Sequence, residues 1–71
     1  MTVGDLVRFS REHISRPGLD YCKDWIGIII EYNSTMQIMW TILGDSHIMK
    51  YDEDWSNSLN YEPLEVVYEN R

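Results

Sequence analysis

The chain has 71 residues, so the sequence predicts a single domain over residues 1–71 with one hydrophobic core. Hydrophobic residues make up 44% of the chain and aromatic residues 13%, a composition that excludes an intrinsically disordered protein. The net charge is −6, and the one cysteine, Cys22, cannot form an intramolecular disulfide. A secreted domain of this size usually carries several disulfides, so we expect a reducing, cytoplasmic setting.

The acidic excess lies in the second part of the chain. Residues 1–25 hold four basic and four acidic side chains, whereas the remainder holds eight acids against Lys50 and Arg71. An acidic surface repels phosphate backbones, so nucleic acid is disfavoured as a partner. The longest apolar run of isoleucines, residues 28–30, is too short to cross a bilayer, and no signal peptide is visible, so no membrane partner is predicted.

The first part of the chain predicts one strand and a long loop. VGDLVRF, residues 3–9, has the composition of a strand. Residues 10–24 are polar and contain Pro17-Gly18, a turn dipeptide, so we expect a loop held to the core by Ile14, Leu19 and Tyr21. Loops of this length without regular structure are uncommon in compact domains and often functional.

Residues 25–32 and 36–43 predict a hairpin joined by the turn-forming residues 33–35. In the second of these strands, alternation places Trp40 and its apolar neighbours on one face. Gly27 inside the first predicts a bend or a close approach of the backbone. Both strands carry apolar residues on both faces, so the hairpin requires cover on both sides. Closure of a small barrel provides such cover and hides the strand edges.

The last part of the chain predicts two more strands. Residues 44–47 are expected to form a turn, followed by a short strand ending at residue 51. Residues 52–60 form a polar connection that we expect to contain one helical or 3₁₀ turn. YEPLEVVYE, residues 61–69, completes the pattern as a last strand that begins near Pro63. No segment has sustained helical periodicity, so the predicted fold class is all-β with five strands.

The order GDLVRF, long loop, WIGIIIEY, MQIMWTI, short strand, SNSLNY and EPLEVV resembles the SH3-like small barrels. It is especially similar to uncharacterised short proteins of tailed bacteriophages with a GDLV…GIIIE…MW…LEVV pattern. The resemblance implies a five-stranded SH3-like barrel over residues 1–71, with a long first loop and a short 3₁₀ turn before the last strand. It also implies a location in the host cytoplasm or in the virion. The chain lacks the ALYDY-like segment and the tryptophan pair of peptide-binding SH3 domains, and it lacks the basic charge of KOW barrels.

No motif predicts catalysis, a metal or a cofactor. The acidic run 52–54 could begin a calcium loop, but Asn57 replaces the required glycine and Pro63 the closing glutamate. The two histidines lie far apart in the chain, and Cys22 has no cysteine partner, so no zinc spacing exists. Residues 45–47 combine Asp, Ser and His, but neighbours in a turn point apart, and no nucleophile elbow is present. The sequence therefore predicts a protein that is not an enzyme.

Four aromatic residues and three acids are the candidate partner-binding site. Trp40 lies between apolar neighbours and is expected in the core, whereas Trp55 lies in an acidic polar segment. Aromatic residues are common interface anchors within polar rims. The candidate anchors are Tyr21, Trp25, Trp55 and Tyr61, and the candidate rim is Asp52, Glu53 and Asp54. The alternative interpretation is that these rings only cap the ends of the barrel.

Three functional hypotheses follow from these observations. The first is a protein–protein interaction module, either a phage virion component or an accessory factor, whose partner is a host or phage protein. The second is an acidic inhibitor that occupies a basic, nucleic-acid-binding surface of a host enzyme. The third is a KOW- or Tudor-like binder of nucleic acid or a modified peptide, which the net charge ranks last. The sequence leaves self-association into a homo-oligomer open.

Overall fold

The structure is a computed structural model that describes residues 1–52 and 54–69. Five antiparallel strands form one sheet in the order β4-β3-β2-β1-β5, so the prediction of a five-stranded all-β protein is confirmed. The strands are β1 Leu6–Phe9, β2 Ile26–Tyr32, β3 Thr35–Ile42, β4 Asp45–Asp52 and β5 Leu64–Tyr68. The short helices are α1 Arg11–Ile14 and α2 Asp54–Asn57, and a 3₁₀ turn spans Asp20–Cys22.

The sheet is not closed. Within the described residues β4 and β5 are its two edges, and neither pairs with the other. The barrel closure that was expected to cover both faces of the β2–β3 hairpin is therefore not formed. The inner face is covered instead by the segment between β1 and β2 and by α2, which carry Ile14, Trp25 and Trp55 against the core. No described segment covers the outer face in this way, and Ile26 and Ile30 remain 40% and 38% exposed.

The β2–β3 hairpin packs two side chains of β3 closely against one glycine of β2. Gly27 lies directly opposite Trp40, and a Cβ placed on it would lie 2.7 Å from Trp40 Cε3 and 2.5 Å from Ile38 Cγ2. The expectation of a close approach at Gly27 is confirmed. The missing side chain leaves the space against β2 that the Trp40 ring occupies, and Trp40 is completely buried there.

The β3–β4 turn lies earlier in the chain than the sequence predicted. Leu43 and Gly44 form a two-residue turn with φ of 52° and 85°, so β4 begins at Asp45, and the expected turn over residues 44–47 is wrong. Positive φ at both central positions is the type I′ geometry that fits the twist of a hairpin. Gly44 adopts it without strain, but leucine rarely does, and this is why the sequence did not indicate the position.

The first loop contains regular structure that the sequence did not predict. Ser10 caps α1, because its Oγ accepts a hydrogen bond from the backbone N–H of His13 at 3.2 Å. His13 and Cys22 are the side chains that this segment buries. Ile14 packs against the core as expected, but Tyr21 is 65% exposed, so its predicted role as a core anchor is wrong.

The helical turn expected before the last strand is present, but it is not the 3₁₀ turn that the SH3-like resemblance implied. α2 is a single α-helical turn, and the 3₁₀ turn lies in the first loop. The buried core itself combines residues from four strands and the 3₁₀ turn: Val7, Phe9, Cys22, Ile29, Ile38, Trp40 and Leu64. All the strand residues in this core lie on the inner face, which the loop segments then cover.

Candidate functional site

An aromatic stack runs through the inner face and connects the predicted site residues. Phe9 lies between Trp40 and His13, with ring centroids 4.6 Å and 4.7 Å away and both pairs nearly parallel. β1 supplies Phe9, β3 supplies Trp40 and α1 supplies His13. The predicted aromatic residues lie on the two sides of this stack.

Tyr21 and Trp25 form the first pair. Their ring centroids are 5.4 Å apart in an edge-to-face arrangement. Trp25 also lies 6.2 Å from Phe9 and 6.0 Å from Trp40, and it is half-buried. Only Tyr21 of this pair projects into solvent, so Trp25 helps to cover the core at this end of the sheet.

Trp55 and Tyr61 lie around His13 on the other side of the stack. The Tyr61 hydroxyl lies 2.8 Å from His13 Nδ1, and the Arg16 guanidinium lies 4.4 Å from the centre of the Tyr61 ring. Trp55 meets His13 edge to face at 6.4 Å. Both rings are half-buried, and no ring contact between the described residues joins this pair directly to Tyr21 or Trp25. The structure therefore separates the single exposed patch that was expected into two partly buried pairs.

A shallow groove brings three of the predicted residues together. Asp52 ends β4 and Asp54 begins α2, and both side chains are exposed, while Glu53 lies outside the described residues. Between the end of β4 and α2 lies a depression of about 400 Å³, which we call the Trp55 groove. Its lining residues are Lys50, Tyr51, Asp52, Asp54, Trp55 and Ser58.

Tyr51 forms the wall of the groove opposite Trp55, and the sequence analysis did not identify it. The two ring centroids are 4.5 Å apart. The Tyr51 hydroxyl accepts a hydrogen bond from Trp40 Nε1 at 3.0 Å, and burial raises the pKa of this hydroxyl above its ordinary value. Tyr51 thus stays neutral and fixes the groove to the core. Its alternation with Met49 along β4 was the available signal, because the predicted strand ending at residue 51 already contained both residues.

The charges of the groove are unbalanced. The lining contains two carboxylates, from Asp52 and Asp54, and one ammonium group, from Lys50. Within the described residues, neither carboxylate forms an ion pair. Paired carboxylates would gain little from a new partner, whereas these two are free to interact with an incoming cation.

A second depression collects basic side chains. Arg8, Arg11 and Lys23 line a hollow of about 180 Å³ together with Phe9, Ile14 and Glu65. Glu65 already accepts a hydrogen bond from Arg8 Nε at 2.9 Å. Arg16, the remaining base of this half, lies over Tyr61 instead. Three of the four bases in the first half of the chain therefore share one hollow, and Arg16 is not among its lining residues.

The other titratable groups are involved in packing. Burial, with a smaller contribution from the nearby Arg16 charge, lowers the pKa of His13 below its ordinary value. Burial raises the pKa of the Cys22 thiol, which donates a hydrogen bond to the Leu19 carbonyl at 3.0 Å. A protonated, buried thiol is a poor nucleophile. Across residues 1–52 and 54–69, no group of three His, Cys, Asp or Glu side chains is placed to hold a metal ion.

Comparison with protein-family models, curated proteins and solved structures gives no match to this chain. In the part of the chain that the structure describes, no helix has both the length and the apolar character needed to span a lipid bilayer.

Proposed function

We propose that this protein is a non-enzymatic protein–protein interaction module that binds its partner through the Trp55 groove. The observation that supports this most directly is that Trp55 lines one groove with two carboxylates that form no ion pair within the described residues. Interface hot spots are enriched in tryptophan and tyrosine surrounded by polar groups. Trp55 and Tyr51 supply such rings, and the core holds both of them in place before binding.

The charge of the groove indicates the chemistry of the partner. Asp52 and Asp54 would pair with a lysine or arginine side chain, and the alkyl part of that side chain would lie against the Trp55 ring. The occupant that fits is therefore a basic segment of another protein. Trp25 contacts Phe9 and in this proposal belongs to the cover of the core. Tyr21 packs on Trp25 and does not line the groove, so it is left out of the contact surface.

The biological setting is part of the same proposal. The resemblance to short SH3-like proteins of tailed bacteriophages supports a virion component or an accessory factor acting in the host cytoplasm. A β2-β3-β4 meander with β5 returning to pair with β1 supports the SH3-like assignment. The partner is then a host or phage protein.

A second candidate function is an acidic inhibitor of a nucleic-acid-binding enzyme. It is favoured by Glu62, an exposed acid that lines a further depression on Trp55, of about 290 Å³. Asp52, Asp54 and Glu62 thus place three carboxylates around one aromatic ring. If this function applies, nucleic acid should displace the protein from its partner, whereas a virion or accessory contact should be insensitive to nucleic acid.

The test is affinity capture from host lysate with matched charge variants. One variant carries Asp52→Asn and Asp54→Asn, and the control carries Asp20→Asn and Asp24→Asn, which remove the same charge from exposed positions of the first loop. The proposal expects one partner to be retained by the wild type and the control and lost by the groove variant. With the purified partner, the groove variant should associate about tenfold more slowly at low salt. Equal retention by both variants contradicts the proposal.

Trp55→Ala is the second variant for this test. It should weaken binding by roughly 2 kcal/mol or more if Trp55 is a hot spot. Trp55 also packs against the core. The unfolding curve of the Trp55→Ala variant must therefore be measured together with its binding. The exposed acids avoid that complication, and their variants therefore decide the outcome if Trp55→Ala fails to fold.

A further inference from the structure

The outer face of the sheet carries a continuous apolar row that ends at a free edge. Leu6 lies opposite Ile28, Ile28 opposite Met39, and Met39 opposite Ile48, so these four residues form one line across β1, β2, β3 and β4. We call it the outer row. Its first three members are half-buried, whereas Ile48 is 59% exposed, because β4 is an edge of the sheet in the part of the chain that the structure describes.

The two edges of the sheet differ in how well they are protected. β5 has five residues, follows Pro63, and has a register shift against β1. Short length, proline and bulges are the devices by which edge strands avoid pairing. β4 has eight residues in unbroken register with β3, and its charges are Asp45 and Asp52 at its ends and Lys50 near one end. Its centre, around Ile48, carries none of these devices.

The register of the β3–β4 hairpin determines which backbone groups of β4 are free. A two-residue turn makes Ile42 and Asp45 a hydrogen-bonded pair, and such pairs alternate along an antiparallel ladder. The odd-numbered residues of β4 therefore direct their N–H and C=O groups toward β3. The even-numbered ones, which include Ser46, Ile48 and Lys50, direct theirs toward the open edge.

We propose that β4 is a dimerisation edge, at which a second copy of this chain pairs antiparallel with the first across a two-fold axis at Ile48. In this register the free groups of Ile48 meet those of Ile48 in the second copy, and Ser46 meets Lys50. The inner faces of both copies then lie on the same side of one ten-stranded sheet. The outer row continues through the axis without interruption, with Ile48 against Ile48 at its centre.

Charge placement favours this register and a second copy as the occupant. Asp45 falls opposite Tyr51 of the second copy, and Asp52 falls opposite Gly44, so no like charges lie directly across from one another. Moving the axis by one residue to Met49 places Ile48 against Lys50 and interrupts the apolar row. A contact through one strand edge is small, so we expect a weak dimer with a dissociation constant on the order of 100 µM.

Salt distinguishes this dimer from the proposed groove contact. Each copy has a net charge of −6, so two copies repel one another, and added salt should strengthen dimerisation by screening that repulsion. Binding of a basic partner in the Trp55 groove should weaken with salt. The two proposals can therefore fail independently of each other.

Sedimentation velocity of the wild type tests the association. Between about 20 µM and about 1 mM, the dimer fraction should rise with concentration and should be larger in about 0.5 M NaCl than in about 0.05 M. Ile48→Lys should remain monomeric throughout that range. Thr41→Lys is the matched control, because it adds the same charge to the exposed outer face one strand away from the edge and should still dimerise. A wild type that stays monomeric, or a dimer that survives Ile48→Lys, overturns the proposal.

Disulfide trapping tests the register. In the proposed dimer the two Ile48 Cα atoms lie about 5.5 Å apart, within the range that a disulfide spans. The two Ser46 residues are offset by four positions, about 13 Å along the strand, and cannot be linked. Under copper–phenanthroline oxidation, Ile48→Cys should form a linked dimer at least about tenfold faster than Ser46→Cys. Cys22 is 2% exposed and present in both, and peptide mapping identifies the linked residue. Faster linkage at Ser46, or equal rates, overturns the register and the proposal with it.

Discussion

The two faces of the sheet have similar sequences but very different environments. On β2, Ile29 points to the inner face and is completely buried, whereas Ile28 points to the outer face and is half-buried, and Ile26 and Ile30 are more exposed still. The outer face thus carries more isoleucines than the inner face of the same strand. Apolar character did not determine which face is buried. The segments that fold over one face did, because α1, the 3₁₀ turn and α2 all pack on the inner side.

The largest expected effect comes from truncating one isoleucine on each face. Ile29→Ala should lower the free energy of unfolding by about 3–4 kcal/mol, because it leaves a cavity in a fully packed core. Ile28→Ala should cost about 1 kcal/mol, since its side chain is partly in water already. Urea unfolding followed by tryptophan fluorescence measures both. Equal losses would show that the outer face is covered as well, and Ile29→Val provides a milder variant if Ile29→Ala does not fold.

The glycine of the inner face provides the next largest effect. Gly27→Ala forces a Cβ into Ile38 and Trp40, so it should destabilise the protein by about 2–3 kcal/mol. Gly18→Ala is the control: it introduces strain at φ 81° but meets no atom within 4 Å, and it should cost about 1 kcal/mol. The same unfolding experiment compares them. If Gly18→Ala were the more harmful of the two, the close packing of Trp40 on β2 would be incorrect.

A smaller effect concerns the cover of the inner face and depends on pH. The pKa of His13 is lowered in the folded state, so below about pH 6.5 the unfolded chain binds a proton more readily than the folded one. The stability that neutral, buried His13 contributes is intact above about pH 6.5 and is lost as the pH falls. The free energy of unfolding should therefore decrease between about pH 7 and pH 5.

The control for this pH dependence is His13→Phe. It keeps a ring stacked on Phe9 but cannot be protonated, so it should flatten the pH profile over the same interval. The two proteins differ at position 13 alone, so the comparison isolates His13. A profile unchanged by His13→Phe would show that His13 does not couple the cover of the inner face to pH.

The smallest effect is expected on the outer face, where Arg8 and Glu65 form an ion pair at 2.9 Å. Both side chains are about half exposed, at 53% and 44%, so water and salt screen their attraction. Glu65→Gln should change the free energy of unfolding by less than about 0.5 kcal/mol. Thermal unfolding at low and high salt measures it. A loss above about 1 kcal/mol would mean that the outer face contributes to stability more than its exposure suggests.

Strand content was predictable from the sequence because it depends on local patterns. The β-branched residues of β2 and β3, the break between them and the alternation around Trp40 predicted the hairpin and the burial of Trp40. The β3–β4 turn was misplaced because Leu43 adopts a positive φ that its residue type disfavours. The length of β4 was underestimated for the same reason.

The candidate site was predictable only in part. Trp55, Asp52 and Asp54 could be identified because an aromatic residue within an acidic segment is unusual, and they line one groove. Their separation from Tyr21 and Trp25 could not be foreseen, because it depends on Phe9 and His13 stacking between the two pairs. Tyr51 was missed because its role arises from a hydrogen bond to Trp40 on the neighbouring strand β3.

The sequence by itself determined the all-β class, the central hairpin, the close approach at Gly27 and the acidic character of the second half. These features follow from residue types and short-range spacing, which act before any long-range contact forms. The tertiary structure decided which face of the sheet is buried, that β4 remains an open edge, and which charges surround Trp55. Those outcomes depend on where a polar loop and a single helical turn fold back, and local sequence patterns place little constraint on that long-range docking.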